Sequence, residues 1–231
     1  MKCLILAAGL GSRLGKITKN LPKPMIKYKG KPILEHNILC CKKSGITEIF
    51  INLHHMGNII QEYFGDGSKW GVNIKYSYET KLLGTAGALR KISKHINERG
   101  FLIICGDNLI DYNLKKIYET HMSHKFLLTI TLAILREAQN SGIVTLLEDS
   151  SISSFIEKPK QLTSGNHLVN MGVYFLDKKI LDYIDTGYCD FANNVFPKLI
   201  ENNIKIYGHI EEKNVVAFDT IKLYNKNTSS N

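Results

Sequence analysis

The chain has 231 residues, 44% of them hydrophobic, and a formal net charge of +9. That length suits one domain, alone or with a small subdomain, and the apolar fraction excludes wholesale disorder. No apolar run approaches the roughly 20 residues that a bilayer-spanning helix needs. The lysines are spread along the chain rather than gathered in a block, so the charge reads as solvated surface and gives a nucleic-acid-binding role little support.

Lys2 to Ala7 reads as a buried first strand. The run is too short for a signal peptide, and Gly9, Gly11 and Arg13 interrupt it at once, so the protein is expected in the cytoplasm. A glycine-rich loop follows over Ala8 to Gly15. Pro32 to Ser44 reads as a helix, with Pro in its first turn and Gly45 as its stop. Glu48 to Leu53 is a second strand, Met56 to Phe64 a helix, and Val72 to Tyr78 an alternating strand. Thr85 to Ile96 is predicted helical and Phe101 to Cys105 a buried strand. Strands alternating with helices indicate a parallel sheet with helices on both faces. From Leu127 the pattern changes. Leu127 to Leu135, Gly142 to Leu147, Ile152 to Glu157 and Val169 to Leu176 read as strands that add mixed or antiparallel pairing. Lys178 to Ile184 and Phe191 to Ile200 are the later predicted helices. The fold class is therefore α/β, with a mixed, mostly parallel sheet flanked by helices. The five cysteines have no framework spacing, which argues for reduced thiols, and His121 and His124 gather no further zinc ligands.

The chemistry concentrates in Leu6-Ala7-Ala8-Gly9-Leu10-Gly11-Ser12-Arg13-Leu14 and Pro22-Lys23-Pro24-Met25. Gly9 and Gly11 permit close backbone approach and positive φ, and successive N–H groups can cradle phosphate oxygens. Arg13 adds a forked donor and Lys23 a compact charge. The loop lies at the carboxyl end of the first strand, where open α/β sheets bind ligands. A Walker loop would need Gly-Lys-Ser/Thr, which is absent. A dinucleotide fingerprint would need a third Gly where Leu14 sits and an acid after the second strand, where Leu53-His54-His55 offers none.

The pattern G-x-G-x-R-L followed by P-K-P resembles the signature of the sugar-1-phosphate nucleotidyltransferases. Uridylyltransferases of N-acetylmuramic acid 1-phosphate and guanylyltransferases of heptose and mannose 1-phosphates are the branches it looks like. Gly65 to Gly71, Leu83-Gly84-Thr85-Ala86-Gly87-Ala88, Gly106-Asp107, Phe155 to Pro159, Asn170-Met171-Gly172 and Phe196 to Ile200 resemble further segments of that family in order. The resemblance runs from Met1 to about Thr220. It implies a Rossmann-like fold of the GT-A kind over residues 1–224, followed by a short polar tail at 225–231. It implies a magnesium-dependent reaction of a nucleoside triphosphate with a sugar 1-phosphate, without a covalent enzyme intermediate.

By the same resemblance Arg13 and Lys23 are the catalytic cations. Leu6, Ala8, Gly9, Gly11, Ser12, Glu79, Gly84, Thr85 and Asp107 bind the nucleotide. Gly142, Glu157, Lys158 and Asn170 bind the sugar phosphate. Asp107 and Asp219 hold Mg²⁺, which favours oxygen ligands and uses one or two carboxylates beside phosphates. The family's Trp-x-Asp-x-Gly-Thr is here Val216-Ala217-Phe218-Asp219-Thr220-Ile221, which keeps only the Asp. An ionised carboxylate at Glu79 only accepts hydrogen bonds and so selects a base with N–H donors. UTP comes first on this reading, GTP second and CTP third. A phosphocholine cytidylyltransferase is the alternative acceptor class and a non-catalytic nucleotide sensor the alternative function. Neither membrane nor nucleic acid is an expected partner. A homodimer is compatible with the size, but no segment marks an interface.

Overall fold

The structure, a computed structural model, describes residues 1–96, 100–124 and 126–212 and the backbone of 216–217, with the side chains of Arg13 and Lys16 outside that description. In chain order the elements begin with β1 (Lys2–Leu6), the two-residue strands β2 (Lys27–Tyr28) and β3 (Lys31–Pro32), α1 (Ile33–Lys43), β4 (Glu48–Leu53), α2 (Gly57–Phe64) and β5 (Asn73–Tyr78). Next come α3 (Gly84–Lys91), β6 (Phe101–Cys105), β7 (Asn108–Leu109), α4 (Leu114–His124), β8 (Leu128–Leu135), β9 (Gly142–Leu146) and β10 (Ile152–Glu157). The last are β11 (His167–Leu176), α5 (Phe196–Glu201), β12 (Ile206–Ile210) and β13 (Val216–Ala217).

Two compact units divide these elements. One takes in Met1–Leu82 and Ile103–Leu114, while the other opens with Leu83–Leu102 and resumes at Lys115. In the first unit the strands run in the order β6-β1-β4-β5. The pairs β1–β4 and β4–β5 are parallel, with Leu6 opposite Asn52 and Leu53 opposite Tyr78. Cys3, Leu4 and Ile5 of β1 and Ile33, Leu34 and Ile38 of α1 are almost wholly buried. Strands that read as continuous apolar runs suit a parallel sheet covered on both faces. In the second unit β10, β9, β11 and β8 pair antiparallel in that order, and β12 joins β8 in parallel. Phe155, Tyr174, Phe191 and Phe196 pack edge to face, tilted and, for Phe191 on Phe196, stacked, with ring centroids 5.0–5.7 Å apart. The mixed α/β class expected from the sequence is the class observed.

Several elements differ from expectation. The helix predicted over Thr85–Ile96 ends at Lys91, and a separate 3₁₀ turn over Ser93–His95 follows, which lets Ile92 and Ile96 both turn inward. Phe191–Ile200 is two pieces, a π turn over Phe191–Val195 and then α5. Pro197 explains the change of pitch, because it has no N–H for the preceding turn and its ring crowds the residue four back. Lys178–Tyr183 is a 3₁₀ helix capped by Asp177, whose carboxylate accepts from Lys179 N–H at 2.9 Å. Helix α4 and strand β12 were not among the predicted elements. Their signals are Leu114, Ile117 and His121 at helical spacing and the alternation of Ile204, Ile206 and Gly208.

Candidate functional site

The glycine-rich loop leaves β1 at Leu6 with Ala7 and Ala8 buried and Gly9, Leu10 and Ser12 exposed. Only Gly11 of the expected pair adopts positive φ, at 65°, and Gly15 adds a second such position at 52°. Gly9 does not, which corrects the expectation; a Cβ there would meet nothing within 4 Å, so its bareness leaves open space rather than relieving backbone strain. Gly11 sits against Thr18, whose Oγ1 donates to the Gly11 carbonyl at 2.9 Å. Leu14 N–H donates to the same carbonyl at 3.1 Å, and the Leu14 side chain is fully buried with Ile26, Ile33 and Leu109. The Leu that excludes a dinucleotide fingerprint is thus the anchor that pins the loop to the core. Thr18 was not foreseen. Arg13 lies in the kinked 3₁₀ segment Ser12–Thr18.

Pro22-Lys23-Pro24 is rigid by composition, with Pro22 extended at φ −65° and a 3₁₀ turn over Lys23–Met25. That rigidity aims the Lys23 side chain, which is 7% exposed, at Asp107. The ammonium lies 2.5 Å from Asp107 Oδ2, and the Asp107 side chain keeps 32% of its surface open. Asp107 reaches this place because β6 ends beside β1. Gly106 N–H donates to the Leu6 carbonyl at 2.9 Å, and a Cβ on Gly106 would stand 2.8 Å from that oxygen. Asn37, unforeseen, holds the strand end from below. Its Nδ2 donates to the Asn108 carbonyl at 2.9 Å and its Oδ1 accepts from Ile110 N–H at 3.1 Å. So the structure brings Lys23 and Asp107 together with the root of the loop.

Glu79 follows β5 and is only 4% exposed. Its Oε1 accepts from Asn52 Nδ2 at 2.8 Å, and its carbonyl accepts from His54 Nδ1 at 2.7 Å. Asn52 was also unforeseen. Asp219 lies outside the described residues.

In the second unit Gly84 opens α3 at φ 75°, where a Cβ would collide with the Cys189 carbonyl. Ala86 and Gly87 N–H donate to that carbonyl at 3.0 and 2.9 Å. The Thr85 hydroxyl donates to Asp190 Oδ2 at 2.8 Å and accepts from Phe191 N–H at 2.8 Å. Both hydroxyl bonds run within the protein, which makes Thr85 a clasp between α3 and the segment after Cys189.

Gly142 is buried and pairs with Glu157 across β9–β10. A Cβ there would meet the Phe155 ring and come within 2.9 Å of Glu157 Oε2, so Gly142 clears the space that Glu157 occupies. Glu157 Oε1 and Lys158 Nζ are 2.6 Å apart. Lys158 has φ 46° and its side chain is about half exposed, and its N–H is held by the Ser141 carbonyl at 3.2 Å. A lysine in the left-handed region is a strained placement of the sort that collects at ligand sites. Asn170 lies where β11 shifts register. Its Oδ1 accepts from Gly172 N–H at 2.9 Å and its Nδ2 donates to Tyr174 Oη at 2.9 Å, with Gly172 at φ 69°. The bulge turns Asn170 into a brace of its own strand.

The family described as nucleotidyl transferase matches residues 2–215. The chain belongs to that family. It is 36% identical over 182 residues to a D-glycero-alpha-D-manno-heptose 1-phosphate guanylyltransferase of Aneurinibacillus thermoaerophilus, covering 79% of this chain and 77% of that protein. It is 34% identical over 222 residues to a UTP–glucose-1-phosphate uridylyltransferase of Synechocystis, covering 90% of this chain and 57% of the relative. A mannose-1-phosphate guanyltransferase of Candida glabrata is 31% identical over 224 residues, covering 95% of this chain and 59% of the relative. The chain therefore spans less than three fifths of the length of these last two relatives. Among solved structures, HddC from Yersinia pseudotuberculosis, crystallised with GMP-PN, superposes with a TM-score of 0.85 at 24% identity over 99% of this chain and 98% of that one. That likeness establishes the fold. No helix among the described residues is long and apolar enough to cross a membrane.

Proposed function

We propose that this chain transfers a nucleoside monophosphate from a nucleoside triphosphate to a sugar 1-phosphate, giving an NDP-sugar and pyrophosphate. The observation that carries the reading is the Lys23–Asp107 pair at the root of a glycine-rich loop, in a family whose similar members act on sugar 1-phosphates. An acceptor phosphate oxygen attacks the α-phosphorus in line. A new P–O bond forms, the bond from the α-phosphorus to the α–β bridging oxygen breaks, and the electron pair leaves with pyrophosphate. No side chain becomes a nucleophile, so the work is positioning and charge stabilisation. The Gly9–Gly11 backbone, Arg13 and Lys23 hold the triphosphate, with Leu6, Ala8, Ser12 and Glu79 around the nucleoside. Glu157, Lys158 and Asn170 hold the acceptor.

Mg²⁺ fits Asp107 by the chemistry of its donors. The Asp107 side chain keeps 32% of its surface exposed, and among the described residues no group of three or more His, Cys, Asp or Glu gathers to form an all-protein cage. Asp107 would hold such a cation beside the substrate phosphates, as suits Mg²⁺, which commonly uses one or two carboxylates. Bound to the phosphates, it would neutralise charge developing on the leaving pyrophosphate. Asp219 is the second proposed ligand.

The base is uracil first, guanine second and cytosine third. All three carry N–H donors for an acceptor such as Glu79, and the relatives cited include uridylyl and guanylyl enzymes. A pyrophosphate-release assay over the four triphosphates and a panel of sugar 1-phosphates, with the product identified by mass, tests the whole reading. Release that needs both substrates is expected. Release without any sugar phosphate, or none with any pair, would refute it.

A further inference from the structure

Asn52 stands near the carboxyl end of β4, 3% exposed, between β1 and β5. Its side chain works as an extra rung of the sheet. Oδ1 accepts from Ala7 N–H at 2.8 Å, and Nδ2 donates to Glu79 Oε1 at 2.8 Å. Ala7 is the first residue past β1, and Glu79 the first past β5, with its own N–H on the Leu53 carbonyl at 2.8 Å. One buried amide therefore joins the root of the glycine-rich loop to the carboxylate on the base side.

We propose that Asn52 is a positioning residue that sets triphosphate selectivity by fixing the Ala7–Gly9 backbone relative to the Glu79 carboxylate. The proposal rests on the nucleotidyl-transfer reading of the same loop. An amide is suited to the post because it offers an acceptor and a donor at once, one toward each neighbour. Aspartate of the same shape keeps the acceptor for Ala7 but sets a carboxylate against a carboxylate. Leucine would offer neither bond. A base is discriminated by how well its edge meets acceptors and backbone held at fixed separation, and buried polar groups held on both sides make that separation stiff. Asn52 touches no nucleotide in this account and acts through Ala7 and Glu79.

The test compares the wild-type protein with Asn52→Asp, and with Asn52→Ala, which introduces no like charge. Calorimetric binding of each of the four triphosphates is measured without acceptor, alongside steady-state kinetics and melting curves. Loss of one hydrogen bond to a charged group should weaken the preferred triphosphate about tenfold and compress its margin over the other three by a similar factor. The acceptor KM should stay within about twofold, as expected for a change that leaves acceptor binding intact. An equal fall for all four triphosphates together with a raised acceptor KM would make Asn52 a general brace and overturn the proposal. Loss of cooperative melting in both variants overturns it in the same way. If the wild-type protein binds triphosphates selectively but transfers to no sugar phosphate, the function proposed above fails while the binding ratios still decide the role of Asn52. If it binds no triphosphate, both fail.

Discussion

The two units prepare their candidate residues by different means. In the first, the candidates follow strand ends. Ala7 follows β1, Glu79 follows β5, and Gly106-Asp107 follows β6. Parallel strands in register bring their carboxyl ends to one edge, so residues far apart in sequence become neighbours without local distortion. In the second, Gly84 and Thr85 open a helix, while Lys158 and Asn170 sit at irregularities of antiparallel strands. Lys158 is left-handed just past β10, and Asn170 marks the register shift of β11. A regular parallel sheet supplies position from its topology, whereas an antiparallel one has to break its ladder to re-aim a side chain.

The largest expected effect falls in the first unit. Lys23→Ala, and separately Arg13→Ala, should lower kcat by about two to three orders of magnitude, the usual loss when a preorganised charge-stabilising donor is removed. Near-normal turnover in either would break the comparison at its firmer end. Asp107→Asn should raise the Mg²⁺ concentration at half-maximal rate by about tenfold or more, because one of few carboxylate ligands is lost. An unchanged magnesium titration would remove Asp107 from the proposed metal site.

Lys158→Ala should act on the other substrate. We expect the acceptor KM to rise about tenfold with triphosphate binding nearly unchanged, the mark of a lost contact to one ligand. A change in triphosphate binding alone would mean that the strained lysine serves the nucleotide.

Thr85→Val tests a clasp rather than a contact. Removing the hydroxyl strips partners from Asp190 and Phe191 N–H and should cost about 1–3 kcal/mol of stability, read as a lowered melting temperature. An unmoved melting temperature with a weakened triphosphate would show that the Thr85 hydroxyl serves the nucleotide and not the clasp.

The smallest effect separates the units by pH. Burial pushes the Cys40 thiol of the first unit up to about 11 from its ordinary 9.0. A raised folded value means that its contribution is complete below 9.0 and is lost as pH climbs toward 11. Burial, opposed by Glu211, holds the His209 imidazole of the second unit below its ordinary 6.5. A depressed folded value means that its contribution is present above 6.5 and is lost as pH falls beneath it. Hydrogen exchange should therefore loosen first around α1 in alkali and around β12 in acid. The reverse order would show that other groups dominate.

Much of the first unit was readable from sequence. Predicted β4 matches residue for residue, and α1 is one residue shorter at each end than predicted. Pro32 and Gly45 punctuate the helix, and an apolar run needs no partner to announce that it is buried. The pairing of Lys23 with Asp107 was legible only as two separate motifs, since nothing local links residues 84 apart in sequence. Asn52, Asn37 and Thr18 were missed because an isolated Asn or Thr carries no pattern.

Local chemistry determined the fold class and the loop at the end of β1 with Arg13 and Lys23, because hydrophobic period and Gly or Pro punctuation act over a few residues, and the other candidates came from the family resemblance. Which partners the candidates took within the protein was a tertiary decision. Thr85 spends its hydroxyl on Asp190 and Phe191, Glu79 bonds Asn52, Gly142 yields its space to Glu157, and Gly9 needs no special backbone. Each of these outcomes depends on partners brought in by strand pairing or helix docking, and a buried polar group takes whichever partner packing presents to it.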